Sequence, residues 1–159
     1  MFRSKQALCA TLAIIAALVP ATAQATCWSE DAADAAAVRD METMLMVGAL
    51  RCRGESQAII THYNGFIRAN RAALTHANDR LRAYFTASGS GLNGYDRYVT
   101  SLANRYGGGD GLTCQQIVRV IDFARTGDGS YANLSGLAQD LRIETSLPGG
   151  RCAQQVARR

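Results

Sequence analysis

The sequence predicts an all-α protein: an antiparallel bundle of four to five helices with one long helix, stapled by two disulfides. Three observations carry this expectation. Apolar residues recur at helical spacing from Ser29 onward, strand-like alternation is absent, and β-branched residues are scattered. The glycine-rich breaks "ASGSGLNG", "GGGDG" and "TGDGS" separate these periodic stretches by short loops, which favour antiparallel neighbours. Once an N-terminal export signal is set aside, four cysteines remain: Cys27, Cys52, Cys114 and Cys152. An even number in an exported chain reads as two disulfides, because oxidising compartments keep them formed.

The signal comes first. Arg3 and Lys5 precede an apolar run from Ala7 to Val19, Pro20 follows, and Ala23-Gln24-Ala25 fits a small-x-small cleavage pattern. Residues 1–25 are therefore assigned to a cleaved signal peptide, and the run falls short of the roughly 20 apolar residues of a membrane span. Gln24 stands where a lipoprotein signal ahead of Cys27 would usually carry leucine. Residues 26–159 then form one helical domain, long enough for a core, in the periplasm or secreted. Arg3 and Lys5 leave with the signal, so 15 arginines face 13 acidic residues and the precursor's charge of +4 falls to +2. That balance argues against a nucleic-acid partner. Cys9 also leaves. The other cysteines are too widely spaced, and too far from histidines, for a metal cluster; neither metal nor cofactor is expected.

The first helix is predicted over Ser29–Arg53. Ser29 is a cap, Glu30 and Asp31 suit the positive helix start, and Gly54 closes the end. Val38, Met41, Leu45, Gly48, Ala49 and Cys52 make its apolar face. The second and longest, Gln57–Ala87, would run about 45 Å if straight, with Gly65 as a candidate bend. Its apolar stripe runs from Ile59 through Tyr63, Phe66, Ile67, Leu74 and Ala77 to Leu81, Tyr84 and Phe85, and Arg68, Arg71 and Arg82 form the solvated side. A third stripe joins Leu92, Tyr95, Val99, Leu102 and Tyr106. A fourth helix, Thr113–Arg125, carries Ile117, Val118 and Ile121. A fifth, Tyr131–Thr145, carries Leu134, Leu137, Ala138 and Leu141, before an irregular tail from about residue 146.

Helix length constrains the disulfides. Cys27 and Cys52 flank a helix of about 35 Å, whereas bonded cysteines need Cα atoms within about 7 Å. Two of three pairings survive. An up-down path delivers Cys114 to the end where Cys52 sits, which favours Cys52–Cys114 with Cys27–Cys152 and leaves Cys27–Cys114 with Cys52–Cys152 open. On the favoured pairing the glycine loop is a turn pinned by Cys114.

That loop lacks the lysine and preceding strand of a phosphate-binding loop. It also lacks the βαβ setting of a dinucleotide fingerprint and the spaced oxygen ligands of a calcium site. Gly109-Asp110-Gly111 and Gly127-Asp128-Gly129 read as turns before helices. His62 and His76 lie about 21 Å apart on one predicted helix, so they share no metal. Asp31 and Asp34 suit a helix start, and no catalytic residue is identified. Asn70 is the exception: it falls inside the long helix's apolar stripe, where a buried amide needs a hydrogen bond. It either bonds a neighbouring helix or lines an opening for a polar ligand, with Tyr63 and Tyr106, and Tyr95 and Tyr98 beside them, as candidate lining residues.

"TCWSEDAADAAAVRDMETMLMVGALRCR", "YNGFIRANRAAL" and "YDRYVTSLANRYG" resemble a family of small exported helical proteins of Gram-negative bacteria. The resemblance covers most of the chain from Thr26 to about Arg125 and implies export and a helical fold. Members sometimes carry the label S-adenosylhomocysteine hydrolase, an activity that this chain's size and missing dinucleotide fingerprint do not support. The expected function is a binding or interaction protein of the periplasm, with an envelope protein or a small polar ligand as partner; the alternative is a small envelope hydrolase using acidic residues. Convergent carboxylates in a concave site would favour the enzyme. A flat apolar patch rimmed by arginine would favour a protein partner.

Overall fold

In the computed structural model, residues 27–109 and 111–152 are described; the predicted signal peptide lies outside the described residues. Six helices follow one another: α1 (Glu30–Cys52), α2 (Ala58–Ala69), α3 (Arg71–Ala87), α4 (Gly91–Gly107), α5 (Cys114–Thr126) and α6 (Tyr131–Asp140). Among the described residues the only extended pairing is an isolated bridge between Trp28 and Arg151.

Helix α1 is the axis, and all five other helices pack on it. Its start is the predicted one: the Ser29 hydroxyl accepts from the Ala32 amide, and Glu30 and Asp31 occupy the first turn. Its packing is not. The predicted apolar face is buried, but so are Ala32, Ala33, Ala35, Ala36, Ala37, Thr43 and even Asp40 and Glu42. Alanine explains this, since small side chains let neighbours close in from several directions. Toward the other end Gly48 does the same: a Cβ there would lie 2.6 Å from Ile117 Cδ1 of α5.

The predicted long helix is two. Asn70, at φ −110° and ψ 16°, leaves helical geometry between α2 and α3. Gly65, the candidate bend, stays within α2, where its missing Cβ admits Arg125 Cδ. The break lets each half serve a different neighbour. Helix α2 packs chiefly on α5, while α3 packs on α1 and α4. Ile59, Phe66, Ala77 and Leu81 of the stripe are buried, and Arg68, Arg71 and Arg82 face solvent as expected.

Helix α5 opens with a full capping box, Thr113 and Gln116 each bonding the other's backbone amide. Helix α6 is capped by Ser130 and ends at Asp140, short of the predicted Thr145. Arg142 adopts φ 50° just beyond it, and the chain from there leaves the helical path: Glu144 gives its carbonyl to Arg105 Nη1 at 2.9 Å.

The disulfides are Cys52–Cys114, with Cα atoms 5.6 Å apart, and Cys27–Cys152, at 4.8 Å. The first ties the end of α1 to the start of α5. It makes the glycine segment a pinned turn, in which Gly109 and Gly111 take φ of 97° and 126° that side-chain-bearing residues avoid. The second joins the two ends of the described chain. Around it the Trp28 amide donates to Gly150 O and the Cys152 amide to Trp28 O, both at 2.9 Å.

Candidate functional site

The structure scatters the candidate ligand residues. Asn70 is buried at the α2–α3 joint, where its Nδ2 donates to Phe66 O and to Ala124 O, both at 3.0 Å. Tyr63 donates its hydroxyl to Glu42 Oε1 at 3.0 Å, and Tyr106 donates to Asp40 Oδ1 at 2.6 Å. Asp40 and Glu42 are two residues apart on α1, about 200° around the helix, so the two tyrosines approach it from different sides. Asn70, Tyr63 and Tyr106 are thus each held by a protein group of their own, Asn70 by two carbonyls and the tyrosines by carboxylates on different sides of α1. Tyr95, also considered, gives its hydroxyl to Asn78 Oδ1.

The acidic groups inside the bundle are occupied. Asp40 is wholly buried; besides Tyr106 it binds Arg105 Nη2 through Oδ2 at 2.6 Å. The Arg105 guanidinium lies 5.0 Å over the Tyr106 ring, and its other arm holds Glu144 O. Glu42 is held between Arg39 and Tyr63. Burial, followed by the hydrogen bond and charge of Asp40, pushes the Tyr106 phenol well above its ordinary range, so it stays a donor. Burial, then Glu42, does the same for Tyr63. Neither carboxylate is left free for a substrate.

Polar pairs also span helices at the surface, among them Arg80 of α3 with Asp31 of α1. His62 Nδ1 of α2 lies 2.7 Å from Asp122 Oδ1 of α5, and that oxygen also meets Arg125 Nη2 at 3.2 Å. His76 instead rests against the Tyr131 ring. Among the described residues no group of three or more His, Cys, Asp or Glu could hold a metal ion. The exposed Leu50, Leu92 and Phe123 belong to α1, α4 and α5, and single exposed apolar residues are ordinary on a protein surface.

The concave feature that gathers side chains of one kind is at the α3–α4 end, under the terminal disulfide. Trp28, buried and the chain's one tryptophan, stacks on Tyr84 with centroids 3.9 Å apart. It meets Phe85 edge-on at 5.7 Å and Tyr98 at 5.5 Å. Its indole N–H donates to Pro148 O at 2.9 Å. These four rings and Pro148 bound a cleft of about 310 Å³, which serines 88, 90 and 101 and Arg97 also line. Gly94 sits in its wall, where a Cβ would come within 3.1 Å of Phe85. The Tyr98 hydroxyl is buried and has no hydrogen-bond partner among the described residues; burial first, then the charge of Asp40, raises its pKa.

Sequence reasoning gave Tyr84 and Phe85 to the apolar stripe of the long helix, named Tyr98 only as a candidate lining residue of an opening around Asn70, and did not single out Trp28 or Arg97. The usable signal was the tryptophan beside Cys27, since whatever residue Cys27 binds must bring its chain onto that ring. No family model, curated protein or solved structure matches this chain.

Proposed function

We propose that this is an exported binding protein, cleaved after Ala25 and periplasmic or secreted, that takes a small ligand in the cleft bounded by Trp28, Tyr84, Phe85 and Tyr98. The observation that carries the reading is the convergence of four aromatic rings on one cleft of about 310 Å³. Small-molecule sites are concave, mostly apolar and start at about 300 Å³. Tyr84 and Phe85, unlike Trp28, are only half-buried. Export is supported by the two disulfides. No helix among the described residues is long and apolar enough to cross a membrane. Binding is favoured over hydrolysis because Asp40 and Glu42 are already bound by the protein's own tyrosines and arginines.

Trp28 supplies the test. Titrating the oxidised protein with periplasmic small-molecule fractions should change its emission saturably, and Tyr84→Ala should weaken that response without altering the helical circular dichroism. Emission indifferent to every fraction, with no retained ligand mass in native mass spectrometry, would refute the reading. Mass spectrometry of the exported protein should also find Thr26 as its first residue.

A further inference from the structure

We infer that the ligand of this cleft is an anion, with a flat apolar body against the rings and a carboxylate, sulfonate or phosphate group held by Arg97. The inference rests on the cleft being a binding site. Arg97 is the one charged side chain bounding it, and no carboxylate stands there to repel an anion. Arg39, Arg80, Arg105 and Arg125 each pair with a carboxylate of the protein. Arg97 is exposed and has no ion pair or hydrogen bond among the described residues. A guanidinium offers a planar fork of donors that matches carboxylate, sulfonate and phosphate oxygens.

Ser90, Gly94, Arg97, Tyr98 and Ser101 border the cleft, so one flank of α4 forms this side of it. Ser88 and Ser101 donate their hydroxyl protons to the carbonyls of Phe85 and Tyr98, so neither is the main donor for a ligand.

Two other ligand classes fit worse. Aromatic rings also attract cations, but Arg97 would oppose one and no acid would balance it. A sugar stacking on tryptophan needs an open indole face, and Trp28 is 1% exposed with Tyr84 stacked on it.

Two fluorescent probes separate this inference from the reading beneath it: 1-anilinonaphthalene-8-sulfonate and N-phenyl-1-naphthylamine, which lacks the sulfonate. The oxidised mature protein should bind the sulfonate about tenfold more tightly than the amine, a preference of the size a charge-assisted contact gives. Arg97→Gln should remove that preference, Arg97→Lys should retain part of it, and added salt should weaken the sulfonate alone. Equal binding of both probes, unmoved by Arg97→Gln, would overturn the anionic class while leaving the cleft as a site. Failure of both probes to bind would overturn the cleft reading as well.

Discussion

An asparagine in an apolar interface is tolerated only if its amide is bonded, and at position 70 the Nδ2 group serves two carbonyls. One of them, Ala124 O, lies in the last turn of α5, where carbonyls have no helical partner of their own. Asn70→Leu leaves that carbonyl buried and unpaired, so we expect a loss of about 1–3 kcal/mol in urea denaturation. An unchanged midpoint would remove the joint from the account. Tyr106 and Tyr98 give a contrasting pair. Tyr106→Phe deletes a bond to a buried carboxylate and should cost about 1.5–3 kcal/mol. Tyr98→Phe deletes a buried hydroxyl that has no partner and should be neutral or stabilising. Alkaline titration tests the same interior. Burial raises the phenols of Tyr63, Tyr98, Tyr106 and Tyr131 above the ordinary 10.0, Tyr131 to about 12. The unfolded chain then loses these protons first, so their contribution should be intact below pH 10 and should decline as pH rises toward 12 and beyond. A denaturation midpoint flat across that window would contradict this. Asn70 was legible in the sequence as an anomaly, a polar residue in an apolar stripe. Its action as a helix break was not, because the acceptor that holds it lies 54 residues away. Asp40 was wholly silent, since its partners Arg105 and Tyr106 come from another helix.

At the scale of the element, helix starts and the punctuation between helices were readable because they are local. Ser29, Thr113 and the glycine turns act on neighbours a few residues away. The environment of α1 was not readable, because periodicity identifies a face only when the other faces meet water. An alanine-rich helix encircled by five others buries faces that carry no large apolar residue. The close approach of α1 and α5 at Gly48 makes this testable. Gly48→Ala gains up to about 1 kcal/mol of helix propensity. Its new methyl, however, would meet Ile117 Cδ1 at 2.6 Å and Cγ1 at 2.9 Å, on a side chain that is itself buried. Overpacking of this kind costs about 1–3 kcal/mol, so the net effect should be a loss. Adding Ile117→Val removes the closest atom and should recover part of it, giving a favourable coupling in a double-mutant cycle. Additive effects would show that the two helices do not constrain each other there.

Across the whole molecule, helix length is a hard geometric limit that removed one of the three disulfide pairings, while the choice between the other two rested on an assumed up-down path and is settled by the fold. The cleft was not reachable from the sequence, since it needs Trp28, α3, α4 and the returning tail together. The two disulfides should consequently differ in what their loss does, although the chain-entropy model gives both a similar weight. Cys52–Cys114 spans 62 residues and Cys27–Cys152 spans 125, which correspond to about 4 and about 5 kcal/mol respectively. Cys52–Cys114 fastens α1 to α5, away from the aromatic rings. Cys27–Cys152 holds the tail whose Pro148 and Gly150 carbonyls accept from Trp28. In the Cys52→Ala/Cys114→Ala protein we expect a lower melting temperature with native Trp28 emission before the transition. In the Cys27→Ala/Cys152→Ala protein we expect Trp28 emission to shift toward that of solvent-exposed indole well below the melting temperature, with helical circular dichroism retained. Probe binding at the cleft should weaken in the second protein and persist in the first. Identical emission from the two folded variants would mean that hydrogen bonds and ring stacking alone hold Trp28 in place, and that the disulfide at the chain ends secures stability without shaping the cleft.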